Sequence, residues 1–386
     1  MGAIDITSKW REDEELQIFD RSVKEFLNRE APPEKLKKWA EDGVVEREMW
    51  TKAGQAGLLC VTAPVEYGGA GGDYRHEAVI TEALAKHGAD GFGIALHNVI
   101  ATPYFLAYGT EEQKKKWIPR MATGELVAAI AMTEPGTGSD LQGIKTTALK
   151  DGNHYVINGA KTFITNGGTA NIIIVVCKTD PTQGARGTSL VIVETDEVDG
   201  FRRGRKLDKV GLDSADTSEL FFDDVRVPTS NLLGMAEGQG FYQLMGKLPQ
   251  ERLQIAVQGI GMIERALEIT IDYVRNRKAF GQTIMDFQNT QFKLAECKTQ
   301  ATVARVFIDH CLELLLAEKL DPATASMAKY WVSDLQNEII DECLQLHGGY
   351  GFMNEYEIGR MYRDARIQRI YGGANEIMKV LIARTL

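Results

Sequence analysis

The sequence predicts an α+β protein in which a helical region, a β-rich region and a second helical region follow one another. Apolar residues recur at helical spacing from about residue 12 to 123, and again from 238 to the end. Between about 125 and 231 the segments are short and mostly rich in β-branched residues, which is typical of strands. Because helices and strands are segregated, the order argues against the βαβ alternation of Rossmann and TIM-barrel folds. We expect three domains: residues 1–124, 125–232 and 233–386.

Turn and capping signals separate the helices of the first region. Two prolines at 32–33 and a glycine-rich run at 68–72 mark breaks, and Thr110 is expected to cap a helix that starts at Glu111. Helical spacing is clear in five segments: 19–27, 49–59, 77–87, 98–108 and 111–121.

Six strands are expected in the middle region, and long helices in the last. The sequence Asp151-Gly152-Asn153 predicts a hairpin turn, and Pro228 ends the run of strands. The expected strands are 126–131, 145–150, 154–161, 171–178, 188–194 and 219–227. Four or five helical segments follow, including 251–277, 289–317 and 322–345.

Charge and apolar patterning exclude several classes of protein. The net charge of −10 argues against a nucleic-acid-binding surface. The longest apolar runs, such as 126–132 and 172–177, are far shorter than the roughly 20 residues of a membrane span, so no stable membrane insertion is expected. Residues 1–20 carry acidic residues and no apolar core, which is unlike a secretory signal or an Arg-rich transit peptide. We expect a bacterial cytoplasmic protein or a mature mitochondrial matrix form.

The cysteines and histidines show no metal-binding pattern. The five cysteines include no CxxC pair, and the six histidines include no HExxH motif. We therefore expect buried free thiols in a reducing compartment and no protein-bound metal.

Two polar stretches suit a flat, charged ligand. Residues 131–140, Ala-Met-Thr-Glu-Pro-Gly-Thr-Gly-Ser-Asp, predict a sharp turn whose backbone N–H groups are free to meet an anionic or heteroaromatic ligand. A polar loop between strands is the alternative interpretation. In residues 159–167, strand alternation places Phe163 and Thr165 on one face, where a ring and a hydroxyl suit a heterocycle. A strand end before an Asn-Gly turn also fits this pattern.

Taken together, residues 132–140 followed by 161–167 resemble the flavin-binding signature of the acyl-CoA dehydrogenase family. The resemblance extends over essentially the whole chain, and residues 248–252 and 371–377 are most similar to long-chain acyl-CoA dehydrogenases. It implies an N-terminal α-helical domain, a middle β-barrel-like or sandwich domain and a C-terminal four-helix bundle. It also implies FAD between the β-domain and the bundle, in a homotetramer built as a dimer of dimers.

The resemblance also implies roles for individual residues. The flavin end of FAD would contact Met132, Thr133, Gly138, Ser139, Phe163, Ile164 and Thr165. The pyrophosphate and adenine of a neighbouring subunit's FAD would be held by Arg277, Gln288, Gln345, Leu346, His347, Gly348 and Gly349. Further cofactor contacts are expected at Phe280, Ala374, Asn375 and Glu376, and substrate contacts at Ser139, Tyr242, Arg252, Gly372 and Gly373. Ala279 stands where some relatives have threonine, so one hydroxyl contact to FAD is absent.

The catalytic base is expected at Glu251. In much of the family a glutamate follows the tyrosine that corresponds to Tyr371, but here that residue is Gly372. Long-chain and isovaleryl-CoA dehydrogenases carry the base on a bundle helix, at the position that matches Glu251. A glycine at 372 would leave the empty space that a carboxylate at 251 needs. The alternative is a carboxylate that stabilises a helix N-terminus, and Glu376 is the rival base.

The acyl pocket is expected around residues 97–103 and 242–248, where Gly240, Ala101 and Gly246 suggest room for a medium or long chain. The basic cluster Arg202, Arg203, Arg205 and Lys206 either meets the CoA nucleotide or forms a solvated edge. Electrons are expected to leave to an electron-transfer flavoprotein. The alternatives are a dehydrogenase for branched short-chain acyl-CoA or for acyl-carrier-protein thioesters, and a non-catalytic flavin-binding protein.

Overall fold

The protein, in a computed structural model, is described for Ala3, Ile4, Ile6 and residues 8–386. Residues 1, 2, 5 and 7 of the acidic N-terminal stretch lie outside the described residues. The first region forms six helices, and Thr110 caps the sixth as expected, because its hydroxyl accepts from the Gln113 N–H. The helices are α1 (Glu14–Glu30), α2 (Pro33–Asp42), α3 (Arg47–Gln55), α4 (Tyr74–His87), α5 (Thr102–Tyr108) and α6 (Glu111–Ala122). A π-helical segment, Leu96–Ala101, leads into α5.

The middle region is a seven-stranded sheet in the order β1-β4-β2-β3-β7-β6, with β5 paired to β4. Its strands are β1 (Ala128–Ala131), β2 (Thr147–Asp151), β3 (His154–Thr165), β4 (Ile172–Lys178), β5 (Thr188–Glu194), β6 (Phe201–Lys206) and β7 (Thr217–Pro228). The six expected strands and the hairpin between β2 and β3 are confirmed. The sequence does not predict β6, because four of its six residues are basic. Such charges are typical of an edge strand, where they discourage pairing with another chain.

Strands β4 and β5 are buried on both faces. Alternate side chains of a strand point to opposite faces of the sheet. Ile173 and Val175 accordingly join the larger apolar core, while Ile172 and Ile174 join a second cluster that contains side chains of α5 and α6. Helices α5 and α6 therefore cover one face of the sheet and are held against it by apolar packing.

The last region contains five α-helices: α7 (Gly240–Asn276), α8 (Gln288–Leu316), α9 (Pro322–His347), α10 (Glu357–Ala365) and α11 (Asn375–Ala383). Two short strands, β8 (Lys278–Ala279) and β9 (Gln282–Thr283), form a hairpin between α7 and α8. Helix α7 has 37 residues and continues through Pro249, so it begins eleven residues before the expected start at 251. Glu251 is therefore inside the helix and not at its N-terminus.

A buried network of charges joins the N-terminal region to the bundle. The guanidinium of Arg305 in α8 pairs with Glu82 in α4 at 2.7 Å, with Glu264 in α7 at 2.6 Å and with Asp309 at 3.4 Å. Arg11 also pairs with Glu82 and Asp309. The side chain of Arg305 is 2% exposed, so solvent screens these pairs little. The network thus connects α4, α7 and α8 through one cation.

The cysteine prediction is confirmed: all five cysteines are buried and free. None of the described helices has both the length and the apolar character that crossing a membrane requires. Among the described residues, no three His, Cys, Asp or Glu side chains are grouped in a way that could hold a metal ion.

Candidate active site

Glu251 is a buried carboxylate with one hydrogen-bond donor. It is 5% exposed, and its Oε1 accepts from the Tyr104 hydroxyl of α5 at 2.7 Å. Burial raises the pKa of Glu251 to about 7, against the opposing effects of the Tyr104 hydrogen bond and the charges of Arg252 and Lys247. A carboxylate with a pKa near neutrality suits proton abstraction, because both of its protonation states are accessible at working pH.

The position of Glu251 in α7 argues against a helix-dipole role. Counting Gly240 as the first residue, Glu251 is the twelfth residue of the helix. The stabilisation of an anion by a helix N-terminus is confined to the first turn. The alternative interpretation of Glu251 is therefore wrong, and its burial needs another explanation.

The expected vacancy at Gly372 is present only in part. Gly372 has a φ of +64°, and a Cβ built on it would lie 2.2 Å from Cδ1 of Ile255. Ile255 follows Glu251 by four residues, so it lies beside Glu251 on the same face of α7. The space beside Gly372 is therefore filled by an apolar side chain, and a glutamate there would have to displace it. Position 372 nevertheless lies next to the helix face that carries Glu251.

The loop around Gly372 is attached on both sides. Tyr371 donates to Gln258 of α7 at 3.2 Å, and Gln258 donates to Asp90 at 3.0 Å. On the other side the buried ammonium of Lys329 donates to the Gly373 carbonyl at 2.8 Å. Among residues 8–386, the N–H of Gly372 has no acceptor. An unpaired N–H in a loop that is held in place is suited to binding an oxygen of a ligand.

The two polar stretches predicted from the sequence meet where the turn after β1 contacts β3. The Thr162 N–H donates to the Thr133 carbonyl at 2.9 Å. Lys161, whose side chain is fully buried, donates to the Met132 carbonyl and to Glu134 Oε1, each at 2.9 Å. A buried ammonium needs several acceptors, so Lys161 holds the turn against β3. The sequence gives Lys161 no such role, although a lysine inside a strand pattern is a signal for one.

Phe163 is placed for contact with a ligand by a bulge. The pairing of β3 with β7 shifts between Lys161 and Ile164, and Phe163 has a φ of +59°. Its ring is 67% exposed, whereas Ile164 is 3% exposed and packs in the core. The exposure of Phe163 thus arises from this bulge and not from regular alternation. Ile164 can offer a ligand only its backbone.

The turn itself is open to solvent. Gly138 and Ser139 are exposed, and a Cβ built on Gly136 or Gly138 would meet no atom within 4 Å. Together with the exposed ring of Phe163, this surface fits the flat ring system of a flavin. Met132, Thr133 and Thr165 are half-buried at its edge.

A cleft of about 550 Å³, here called the nucleotide cleft, lies at the C-terminal end of α7. It contains Arg277 together with Gln345, Leu346, His347, Gly348 and Gly349, as the resemblance implies. The Arg277 guanidinium lies over the Tyr350 ring at 5.3 Å, and His347 stacks on Tyr273 at 4.3 Å. A planar cation suits phosphate oxygens and aromatic rings suit a base, so this cleft fits the nucleotide end of FAD. Gln288 and Phe280 are exposed and do not line it.

Glu251 and the nucleotide cleft are far apart within one chain. Glu251 and Tyr273 are separated by 22 residues of the same helix, which corresponds to roughly 33 Å at 1.5 Å per residue. One chain therefore places Glu251 and the nucleotide cleft far apart along α7.

Sequence comparisons identify the family. Family models for the acyl-CoA dehydrogenase N-terminal, middle and C-terminal domains match residues 13–125, 129–225 and 238–386. The chain belongs to the acyl-CoA dehydrogenase family. It is 50% identical over 374 residues to the mitochondrial long-chain specific acyl-CoA dehydrogenase of Sus scrofa, covering 96% of this chain and 86% of the relative.

Solved structures of acyl-CoA dehydrogenases share the fold. An acyl-CoA dehydrogenase from Geobacillus kaustophilus is 49% identical, with a TM-score of 0.95, covering 98% of this chain and 99% of the other. A glutaryl-CoA dehydrogenase from Mycobacterium smegmatis, solved in complex with FADH2, is 28% identical, with a TM-score of 0.91 over 100% of this chain and 97% of that one. This acyl-CoA dehydrogenase is accordingly an FAD-dependent oxidoreductase.

The remaining predicted site residues have mixed environments. Asn375 is buried, and its amide donates to Tyr330, Ser333 and Asp334, so its side chain supports the loop. Ala374 is half-buried beside it, and Glu376 is exposed in the first turn of α11. Tyr242 is 57% exposed near the start of α7. Arg252 is buried, reaches Ser326 only at 3.4 Å, and its Nε has no partner.

The structure bears on two further expectations, one about space in the acyl pocket and one about the basic cluster. Gly240 does not provide room, because a Cβ there would lie 2.7 Å from the backbone of Ser189. In the basic cluster, Arg203 donates to the Ala170 carbonyl at 2.7 Å and Lys206 to the Asp42 carbonyl at 2.6 Å. These two cations hold the edge of the sheet, which favours a structural role for the cluster over CoA binding.

Proposed function

We propose that this dehydrogenase converts medium- or long-chain acyl-CoA to trans-2-enoyl-CoA, with Glu251 as the base that removes the α-proton. The observation that carries the proposal is the buried carboxylate of Glu251, on the face of α7 whose Ile255 lies against Gly372. The 50% identity to a long-chain specific relative supports the chain length. FAD, when bound, would supply the acceptor for the hydride of the β-carbon.

The residues of the chain supply the proton transfer. An ionised Glu251 takes the α-proton, and its burial makes the anion a stronger base than an exposed glutamate. Removal of the proton places negative charge on the thioester oxygen, which the N–H of Gly372 would stabilise. Arg252 and Lys247 oppose the effect of burial on the pKa of Glu251, so they favour its ionised form.

The proposal is tested by mixing the purified protein with acyl-CoA in the absence of oxygen. We expect medium- and long-chain substrates to bleach the visible absorbance of the oxidised flavin within one turnover. Bleaching only by isovaleryl-CoA, or only by acyl groups on a carrier protein, would favour those alternatives. If no thioester bleaches the flavin, the protein is a non-catalytic flavoprotein.

We infer a homotetramer, a dimer of dimers, in which one FAD contacts two chains. The roughly 33 Å between Glu251 and Tyr273 supports this, because a flavin beside Glu251 would lie far from the nucleotide cleft of the same chain. We also propose an electron-transfer flavoprotein as the electron acceptor, in keeping with the family. The reducing compartment would be the bacterial cytoplasm or the mitochondrial matrix.

Sharing of the site between chains is tested by complementation. Glu251→Gln and Arg277→Ala are each expected to abolish turnover in homo-oligomers. If Glu251 and Arg277 of different chains serve one FAD, co-expressed mixtures regain activity, because half of the sites in a mixed dimer combine two intact residues. Differently tagged chains verify that mixed oligomers have formed. If these oligomers show no turnover, both residues of a site come from one chain.

A further inference from the structure

The hydroxyl of Tyr104 is the feature of the site without an assigned role. Tyr104 is completely buried, and its hydroxyl donates to Glu251 Oε1 at 2.7 Å. Among the described residues, it is the only hydrogen-bond donor that reaches the Glu251 carboxylate. The contact joins α5 of the first region to α7 of the last, across 147 residues of sequence.

The position of the ring is fixed by packing. Tyr104 belongs to the apolar cluster that covers one face of the sheet, together with Phe105 and Trp117. Tyr108, one turn later in α5, also reaches α7, where its hydroxyl donates to the Gln243 carbonyl at 3.1 Å. The two tyrosines thus dock the same helix on α7, but only Tyr104 binds a carboxylate.

We propose that Tyr104 is a positioning residue for the base: its hydroxyl fixes the Glu251 carboxylate and stabilises its ionised form. The inference rests on the proposed function. A hydroxyl donates more strongly to a carboxylate than to a neutral carboxyl group, so it favours the form that accepts the α-proton. Without it, a buried carboxylate would keep the cost of desolvation and lose its hydrogen bond.

Other ionisable groups near Glu251 have different partners or sit on its own helix. In α4, Glu77 accepts from Asn98 and the Tyr74 hydroxyl contacts Gln254. In α9, Lys329 donates to the loop after Gly372. The groups that act on the pKa of Glu251 are Tyr104 from α5, and Arg252 and Lys247 from α7. Of these three groups, only the Tyr104 hydroxyl can be removed without also removing a charge.

The test compares Tyr104→Phe with Tyr108→Phe across the pH range, using kcat/KM because it reports the ionisation of the free enzyme. Both variants keep the ring and lose one hydroxyl. In Tyr104→Phe we expect the acid limb to move up by about one pH unit, so that kcat/KM falls about tenfold near pH 6 and recovers at alkaline pH. Tyr108→Phe is expected to keep the acid limb of the unmodified enzyme.

A second measurement does not depend on turnover. The infrared band of the protonated Glu251 carboxyl group is identified by its absence from Glu251→Gln. In Tyr104→Phe, the titration midpoint of this band should move up by the same amount as the acid limb. An unchanged limb and band in Tyr104→Phe, or an equal shift in Tyr108→Phe, would overturn the proposal. If Glu251→Gln still transfers the α-proton, the proposed base is wrong, whatever the tyrosine variants show.

Discussion

Replacement of Glu251 by glutamine is expected to lower kcat by roughly 10²–10⁴-fold, the usual contribution of a positioned proton-transfer group. FAD should remain bound, because Glu251 lies about 33 Å along α7 from the nucleotide cleft. The measurement is single-turnover bleaching of the flavin by a long-chain acyl-CoA, followed by stopped flow.

The matched control is Glu376→Gln. Glu376 is the rival carboxylate of the C-terminal loop, and it is exposed in the first turn of α11. We expect its replacement to slow bleaching far less than Glu251→Gln does, because Glu376 is an expected cofactor contact and not the base. A slow Glu376→Gln variant together with a fast Glu251→Gln variant would assign the base to residue 376.

The same Glu251→Gln substitution should also change the pH dependence of stability. The pKa of Glu251 is raised to about 7 by burial, above its ordinary value of 4.5. The folded protein therefore binds more protons than the unfolded chain between these values, and this group lowers stability as pH rises through that window. Glu251→Gln should accordingly be more stable than the unmodified protein above pH 7, with the difference disappearing below about pH 4.5, measured as Tm.

Replacement of Arg305 by methionine is expected to lower the free energy of unfolding by about 3–5 kcal/mol, because it removes the most deeply buried cation that three buried carboxylates share. Glu82, Glu264 and Asp309 would lose their shared partner inside the protein. The change is measured by urea unfolding at neutral pH, with the flavin absorbance recorded to separate loss of cofactor from loss of fold.

The control for Arg305 is Arg226→Met on the sheet surface. Arg226 pairs with Asp151 at 2.8 Å, but the two side chains are 50% and 65% exposed, so the pair should contribute less than about 1 kcal/mol. Burial opposes ionisation of Glu82, yet the charges of Arg305 and Arg11 hold its pKa well below the ordinary value of 4.5. The stabilisation by Glu82 is therefore present above pH 4.5 and is lost as pH falls through its lowered pKa. Equal stability of Arg305→Met and the unmodified protein at pH 7 would contradict the role of the network.

Local patterns predicted most of the fold because most elements carry their own signal. Thr110 caps its helix through a hydroxyl three residues from its partner, and the Asp-Gly turn between β2 and β3 is likewise local. The start of α7 was missed because a proline within a helical pattern normally ends it, whereas here the helix continues through Pro249. Strand β6 was missed because its basic residues follow no strand pattern, and its pairing with β7 determines its structure.

The residues of the site likewise divide into those with a local sequence signal and those without one. Motif similarity singled out Glu251, Phe163 and Arg277 as candidate site residues, since each belongs to a recognisable stretch. It could not identify Tyr104, whose partner is 147 residues away and is brought close only by the packing of α5 on α7. The occupied space beside Gly372 was missed for the same reason, because a glycine in a sequence does not show which neighbour fills the place of its side chain.

The contact between Ile255 and Gly372 also bears on how such enzymes could diverge. With Cδ1 of Ile255 2.2 Å from the place of a Cβ at 372, a glutamate introduced there would require the end of the Ile255 side chain to move, and its backbone would be strained at φ +64°. An exchange of the base between the helix and the loop would therefore involve residue 255 as well as residues 251 and 372.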